Sequence, residues 1–470
     1  MTRSALLLVV LLVGAACTAT PAPRESLTVL ADEELRVLEP LWADLTRDTG
    51  VELRFDYRGT VAASADASDG HDLVWPSTDR FLALRRAQPP LSTSIMLSPL
   101  VLGVRPGVAA RFGAQPSWAE LASAAGRGEL RYGMTDPRRS GSGLIALVGV
   151  ATAAAGTGAA LTPADVRCDK LQSFLAGRAF TAPDLDALRG RLSEVDGVAV
   201  SEAVAAQAGL DVVYPRDGIV LADFPLMLRK AERRSGYDRV VAWLRGPGPQ
   251  RRIMETGHYR PVNPDVPRTG ALAGGVGTAL YFPGAQEVLD ALLAAYDRAG
   301  TPSRVVFVLD HSRSMAGERL DALHRAFDVL AHSGGFDQFH LGETITVVRF
   351  AGQVLDERST TITSRADLDA VTSGSADLAD HTAVYSALDH AYRTYPGATV
   401  VLLTDGENNA GLDREAFRAA WPIPPRTYAI RLGDADPAEL AELTRASGGR
   451  VVDATPGSLG EAVEEIRGCR

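Results

Sequence analysis

The stretch RVVFVLDHSRSM, residues 304–315, carries the side chains of this sequence that are best placed to do chemistry. An apolar run from Val305 predicts a buried strand of the kind found in parallel sheets that are covered on both faces. Asp310, Ser312 and Ser314 follow at a spacing of two, so their side chains can all turn toward one point above the carboxyl edge of the sheet. Carboxylate and hydroxyl oxygens are hard donors, which suit Mg²⁺, Mn²⁺ or Ca²⁺ and not zinc.

The same residues fit a simpler interpretation, in which Asp310 caps the next helix and the two serines satisfy its first backbone N–H groups. Two later stretches favour the metal. DHTAVYSALDHAY places Thr382 at the start of an amphipathic helix, and ATVVLLTDGENN runs a second buried strand into Asp405.

This order of motifs resembles the von Willebrand factor A (VWA) domain and its metal-ion-dependent adhesion site. The resemblance implies a doubly wound, Rossmann-like parallel sheet over residues 301–470 and a divalent cation, with Mg²⁺ expected first. It implies that the cation is contacted directly by Ser312, Ser314 and Thr382 and mainly through water by Asp310 and Asp405. In such domains an acidic side chain of a protein partner fills the remaining coordination position, so this half is predicted to be a binding module and not an enzyme.

His311 and Arg313 depart from the pattern, because small or apolar residues are more common there. A cationic Arg313 beside the metal loop has two opposite interpretations. It either weakens metal binding or recruits an acidic partner.

The first 17 residues predict a signal peptide, since Arg3 precedes the apolar stretch 5–13 and small residues then lead to Cys17. A dozen apolar residues would span about 18 Å as a helix, well short of the roughly 30 Å core of a bilayer. The small residues before Cys17 resemble a bacterial lipoprotein signal, which implies a lipidated Cys17 and anchoring on the outer face of the cytoplasmic membrane. Plain secretion is the alternative. Residues 18–26 predict a Pro-rich tether.

Length, charge and cysteine content indicate the number of domains, the kind of partner and the state of the cysteines. A chain of 470 residues is too long for one core, so two or three domains are expected. A net charge of −10, with interspersed Lys and Arg, argues against nucleic acid. If Cys17 carries lipid, Cys168 and Cys469 remain, and in an exported chain they are a candidate disulfide.

Residues 27–300 form the second unit, which opens with a strand, helix, strand pattern joined by short loops. Further on, residues 140–143 read SGSG and precede a long Ala-rich helix. Free N–H groups at the positive end of a helix dipole are a ready site for an anion or carboxylate. An ordinary Ser N-cap, with glycines for close packing, explains the same residues.

The order of motifs in this unit resembles the extracellular solute-binding proteins used with ABC importers. These motifs are SPLVLGVRP, TDPRRSGSG, YPRDG, ADFPLML and a closing helix pair. The resemblance implies a periplasmic-binding-protein-like (type II) fold, with lobe one over 27–105 and 220–300, lobe two over 106–219, and a ligand cleft between them. The positions that match the ligand contacts are Thr60, Trp75, Ser98, Ser140, Ser142 and Tyr214.

Two functions compete. In the first, a surface lipoprotein binds a partner's carboxylate through a divalent cation in the VWA domain. In the second, the two-lobed domain captures a small solute or anion for an ABC importer. The sequence shows no Ser-His-Asp order, paired-carboxylate spacing, phosphate-binding lysine loop or zinc motif, so an enzyme is not predicted.

Overall fold

The structure of the protein is a computed structural model. It describes residues 25–468 except 60, 62–69, 86–88, 90, 167, 300–302, 333–338, 373–376 and 434. The described residues therefore do not include the predicted signal peptide with Cys17, the tether up to residue 24, Thr60 or Cys469. Within the described part, no helix is both long and apolar enough to cross a membrane.

The first lobe is built on a five-stranded sheet. In spatial order its strands are β2 (Val51–Tyr57), β1 (Glu25–Ala31), β3 (Leu73–Trp75), β11 (Pro225–Leu228) and β4 (Leu91–Ser94). β1 pairs in parallel with β2 and β3, whereas β11 runs antiparallel to β3 and β4. The apolar side chains of β1 are fully buried, which places this strand at the centre of the lobe.

The second lobe is built around one long strand, β5 (Met96–Val104), whose residues are almost all buried. In spatial order its sheet contains β10 (Leu221–Ala222), β5, β8 (Gly197–Ser201), β6 (Tyr132–Thr135) and β7 (Arg178–Ala182), and β9 (Asp211–Val213) and β12 (Arg260–Pro261) also pair with β5. Because β6 runs parallel to both β7 and β8, their carboxyl ends share one edge, where helices that face the first lobe begin.

Two connections cross between the lobes, as predicted, but not where they were predicted. One runs from β4 to β5 across Ile95, and the other from β10 to β11 across Asp223 and Phe224. The predicted lobe boundaries at residues 105 and 220 are therefore wrong. The run SPLVLGV has the composition of a buried strand in either lobe, and only its pairing with β8, β9, β10 and β12 assigns it to the second.

Helices cover both sheets. They are α1 (Trp42–Thr49), α2 (Arg80–Leu84), α3 (Trp118–Gly126), α4 (Gly141–Ala155), α5 (Cys168–Ala176), α6 (Leu185–Arg189), α7 (Glu202–Gln207), α8 (Arg234–Leu244), α9 (Pro247–Gly257) and α10 (Gln286–Arg298). Helix α10 packs against α4 and α5 of the second lobe, although residues 220–300 were predicted in the first. Its apolar stripe indicates a buried face but not which lobe covers that face.

The third sheet confirms the doubly wound VWA-like fold. Its strands, in spatial order, are β15 (Val354–Thr361), β14 (Thr344–Phe350), β13 (Arg304–Asp310), β16 (Thr399–Thr404), β17 (Thr427–Arg431) and β18 (Val451–Asp453). All neighbouring pairs are parallel except β14 with β15. The helices are α11 (Glu318–His332), α12 (Arg365–Thr372), α13 (Val384–Thr394), α14 (Arg414–Ala420), α15 (Pro437–Ser447) and α16 (Leu459–Gly468). Separate apolar cores fill the two faces of the sheet.

The VWA-like domain contacts the second lobe at two places. Helix α16 packs against α5, and Leu341 N donates a hydrogen bond to Gly126 O at 2.9 Å. Helix α5 begins at Cys168, and α16 ends at Gly468, the residue before Cys469. The disulfide stays a prediction.

Thiol titration tests that disulfide. We expect the unfolded, non-reduced protein to show no reactive thiol from Cys168 or Cys469, because a disulfide in an exported protein resists mild reduction. Two reactive thiols beyond Cys17 would contradict the pairing. A reduced, unfolded sample serves as the control for full labelling.

Candidate metal site and interlobe cleft

The carboxylate of Asp310 is fixed from two neighbouring strands. Asp310 ends β13 and is fully buried. One of its oxygens accepts a hydrogen bond from Ser312 N at 2.8 Å, and the other accepts one from the Thr404 hydroxyl at the end of β16, at 2.6 Å. Burial raises the pKa of Asp310, and the nearby Asp405 carboxylate adds to this rise, whereas the two hydrogen bonds oppose it.

Three oxygens form a continuous row beside this carboxylate. Ser312 Oγ lies 2.9 Å from Ser314 Oγ, and Ser314 Oγ donates to Asp405 Oδ1 at 2.8 Å. Both separations are ordinary O–H···O hydrogen-bond lengths, and about 2.9 Å is also the spacing of neighbouring ligands around a Mg²⁺-sized ion, so the row is compatible with such an ion without requiring one. The predicted residues from the two strand ends are thus brought together.

Thr382 reaches the same edge through a third loop. Its backbone N–H donates to Asn409 Oδ1 at 2.8 Å, and Asn409 N donates back to Thr382 O at 2.9 Å. A Cβ built on Gly406 would lie 3.6 Å from Thr382 Oγ1, so this hydroxyl sits beside the residue that follows Asp405. Among the described residues, no group of three or more His, Cys, Asp or Glu side chains could hold a metal, so a cation at this edge needs the hydroxyls.

Arg319 is a member of this cluster that the sequence interpretation missed. Its guanidinium contacts the second oxygen of Asp405 and donates to Ser314 O at 3.2 Å. Arg313, which was expected beside the cation, instead pairs with Asp380 at 2.6 Å on the exposed rim. The available signal was a cation at the second residue of the helix that follows the Asp-x-Ser-x-Ser stretch.

In the cleft, two of the six predicted contacts lie at the N-terminus of α4. Ser140 is its N-cap residue, and Ser142 is buried in its first turn, 3.0 Å from Ser140 Oγ. Trp75, Ser98 and Tyr214 bind groups within the protein. These bonds are Trp75 Nε1 to Phe224 O (2.9 Å), Ala203 N to Ser98 Oγ (3.1 Å) and Tyr214 Oη to Glu202 Oε1.

Glu34 of the first lobe lies at the same end of α4, and the sequence interpretation missed it as well. It is buried, accepts a hydrogen bond from Ser201 Oγ at 2.5 Å, and lies close to Ser142. Burial and the nearby Asp32 carboxylate raise the pKa of Glu34 to about 8, while Arg189 acts weakly in the opposite direction.

Two family models match the chain, one for each part. A model described as "Bacterial extracellular solute-binding protein" matches residues 27–258, and one described as "von Willebrand factor type A domain" matches residues 305–407. Residues 27–258 are thus similar to a solute-binding-protein domain and residues 305–407 to a VWA domain, in agreement with both predicted folds. No curated protein matches this chain.

Solved structures similar to this chain include periplasmic binding proteins. AfuA from Actinobacillus pleuropneumoniae, solved with exogenous fructose-6-phosphate, has 12% identity and a TM-score of 0.45 over 58% of this chain and 98% of its own. A periplasmic thiamin binding protein has 14% identity and a TM-score of 0.47 over 59% of this chain and 96% of its own. The ferric binding protein from Campylobacter jejuni has 11% identity and a TM-score of 0.42 over 58% and 99%.

The raised pKa of Glu34 predicts a pH effect on stability. In the unfolded chain this carboxyl titrates near 4.5, and in the folded protein near 8. Between these values the folded state holds a proton that the unfolded chain has lost, so the Glu34 contribution to the free energy of unfolding falls as the pH rises through this window. Glu34→Gln, which cannot ionise, should gain stability relative to the wild type from pH 5 to pH 8. Urea unfolding of both proteins across this range measures the difference, and parallel pH profiles would contradict the assignment.

Proposed function

We propose that this protein is an exported bacterial lipoprotein that binds an acidic group of a protein partner through a divalent cation in its VWA domain. The cation, with Mg²⁺ favoured over Mn²⁺ or Ca²⁺, would be held by Ser312, Ser314 and Thr382 and by the carboxylates of Asp310 and Asp405. It would supply a positive centre that binds a carboxylate. The protein acts by binding and not by catalysis.

The row of oxygens from Ser312 through Ser314 to Asp405 carries this proposal. Its spacings of 2.9 and 2.8 Å suit adjacent ligands of a small hard cation, and its members come from two different strand ends. Buried Asp310 adds a second carboxylate that is fixed before any ion arrives. Of the two carboxylates, Asp405 is already paired with Arg319, so a cation bound here would compete with that guanidinium.

The exposed residues around the oxygen row are consistent with an acidic partner. Ser314 and Arg313 are exposed, so the row of oxygens is open on the solvent side. Arg313 and Arg319 add positive charge near that opening, although Asp380 and Asp405 pair with them. Complementary charge mainly speeds encounter and selects partners.

The location of the protein is proposed from two observations. Proteins of the matched solute-binding family are described as bacterial and extracellular. The sequence begins with a signal-peptide pattern that leads to Cys17. Lipid on Cys17 would hold the protein on the outer face of the cytoplasmic membrane, with the Pro-rich segment as a spacer.

Substitution of the proposed metal ligands tests the function. Asp310→Ala and Thr382→Ala should each weaken Mn²⁺ or Mg²⁺ binding, measured by calorimetry, and abolish chelator-sensitive capture of an envelope partner. Removal of one ligand from a site of this kind typically costs tenfold or more in affinity, by analogy with the about 10–100-fold effects of outer-shell mutations. Asp321→Ala, an exposed carboxylate in the same domain, is the matched control. Capture that persists in chelator, or normal cation binding by both variants, would contradict the proposal.

The family match over residues 27–258 favours a second candidate, in which the chain is the substrate-binding component of an ABC importer. Ligand binding to the folded state raises the melting temperature by mass action. A thermal-shift screen of small anions and sugars on the purified protein should then find one ligand that stabilises it by several degrees. A screen without such a ligand would argue against solute capture.

A further inference from the structure

The interlobe cleft is bridged by side chains of the protein itself. The carboxyl of Glu34 extends from the first lobe, accepts a hydrogen bond from Ser201 Oγ at 2.5 Å and lies close to Ser142, both in the second lobe. All three residues are at most 4% exposed. A carboxyl from the chain therefore occupies the polar end of the cleft, beside the N-terminus of the 15-residue helix α4.

Three further hydrogen bonds join the lobes around this contact. Leu185 N of the second lobe donates to Glu33 Oε2 of the first at 2.9 Å. The other two are Val61 N to Arg139 O at 3.2 Å and Gln207 Nε2 to Gly257 O at 3.0 Å. The lobes thus meet directly along the cleft.

The two lobes also approach each other so closely at two glycines that a side chain larger than hydrogen does not fit there. A Cβ built on Gly141, the first residue of α4, would lie 1.8 Å from Ser77 Oγ of the first lobe. A Cβ on Gly59 would lie 2.5 Å from Arg139 O. Ser77 Oγ is buried and has no hydrogen-bond partner among the described residues, so a polar group from the first lobe also faces this end of α4.

We propose that the carboxyl of Glu34 is an internal ligand that holds the two lobes closed, so that the cleft accepts an external carboxyl group only when Glu34 is displaced. The ligand class follows from the group that binds Glu34, since a buried hydroxyl such as that of Ser201 donates a hydrogen bond to a carboxyl oxygen. This proposal concerns the two-lobed domain and does not depend on the metal site.

The lobe connection has a feature that suits a movable joint. Phe224, in the second crossing segment, has a positive φ of 38°, which is costly for a residue with a bulky side chain. Its N–H donates to Ser77 O at 3.1 Å, and its carbonyl accepts from Trp75. The strained residue is thus held by the same segment that packs on Gly141 in the closed state.

Chemical rescue tests the internal ligand. Glu34→Ala should lower the melting temperature of the full chain, and formate should then raise it in a saturable way, because a small carboxylate can occupy the freed position. Formate should not shift the wild type or Glu39→Ala, a control that removes an exposed carboxylate from the same segment. A formate response in Glu34→Ala no larger than in the control would overturn the proposal.

A larger residue at the contact between the lobes gives an independent readout if Glu34→Ala does not fold. Gly141→Ala should open the lobes and speed amide hydrogen exchange at Leu185 and Val61 by about tenfold or more, because both amides donate across the cleft. Gly149→Ala in the same helix is the matched control, since its Cβ would meet only ordinary contacts at 3.5 Å or more. Equal exchange in the two variants would also overturn the proposal.

Discussion

At the carboxyl edge of its sheet, the VWA-like domain depends on one interaction, the hydrogen bond from Thr404 to Asp310. β13 and β16 are parallel neighbours, so their ends lie side by side, and this 2.6 Å bond joins them beneath the oxygen row. A buried carboxylate is costly unless its oxygens are satisfied. Thr404 and the N–H of Ser312 satisfy it. The loops above can therefore present Ser312, Ser314 and Asp405 in one arrangement before any ion binds.

The two domains use buried carboxylates in opposite ways. In the VWA domain, the bonds to Asp310 leave the oxygen row beside it accessible at exposed Ser314. In the two-lobed domain, Glu34 is enclosed by groups of the other lobe. The same chemistry of hydroxyls and N–H groups around a carboxylate thus produces an open binding edge in one domain and a closed contact in the other.

The sequence predicted what local patterns determine. β13, β16 and the loops after them were predictable because each is a short apolar run followed directly by polar residues. The lobe assignment of β5 and α10 was not, since burial periodicity shows that a face is covered and not what covers it. Arg319 and Glu34 were missed for a related reason. Each acts on a residue far away in the chain, and Glu34 lies in a 3₁₀ segment whose acidic residues look like an ordinary helix start.

The closed cleft bears on which domain makes contact with partners. In a solute carrier, the lobes exist in an equilibrium between an open and a closed state, and the ligand shifts this equilibrium. The size of the shift is set by the difference between the affinities of the ligand for the two states. Here the closed state already has its own carboxyl in place, so a weak external anion gains little by binding. The VWA-like domain packs on the second lobe through α5 and α16, and its oxygen row is exposed at Ser314.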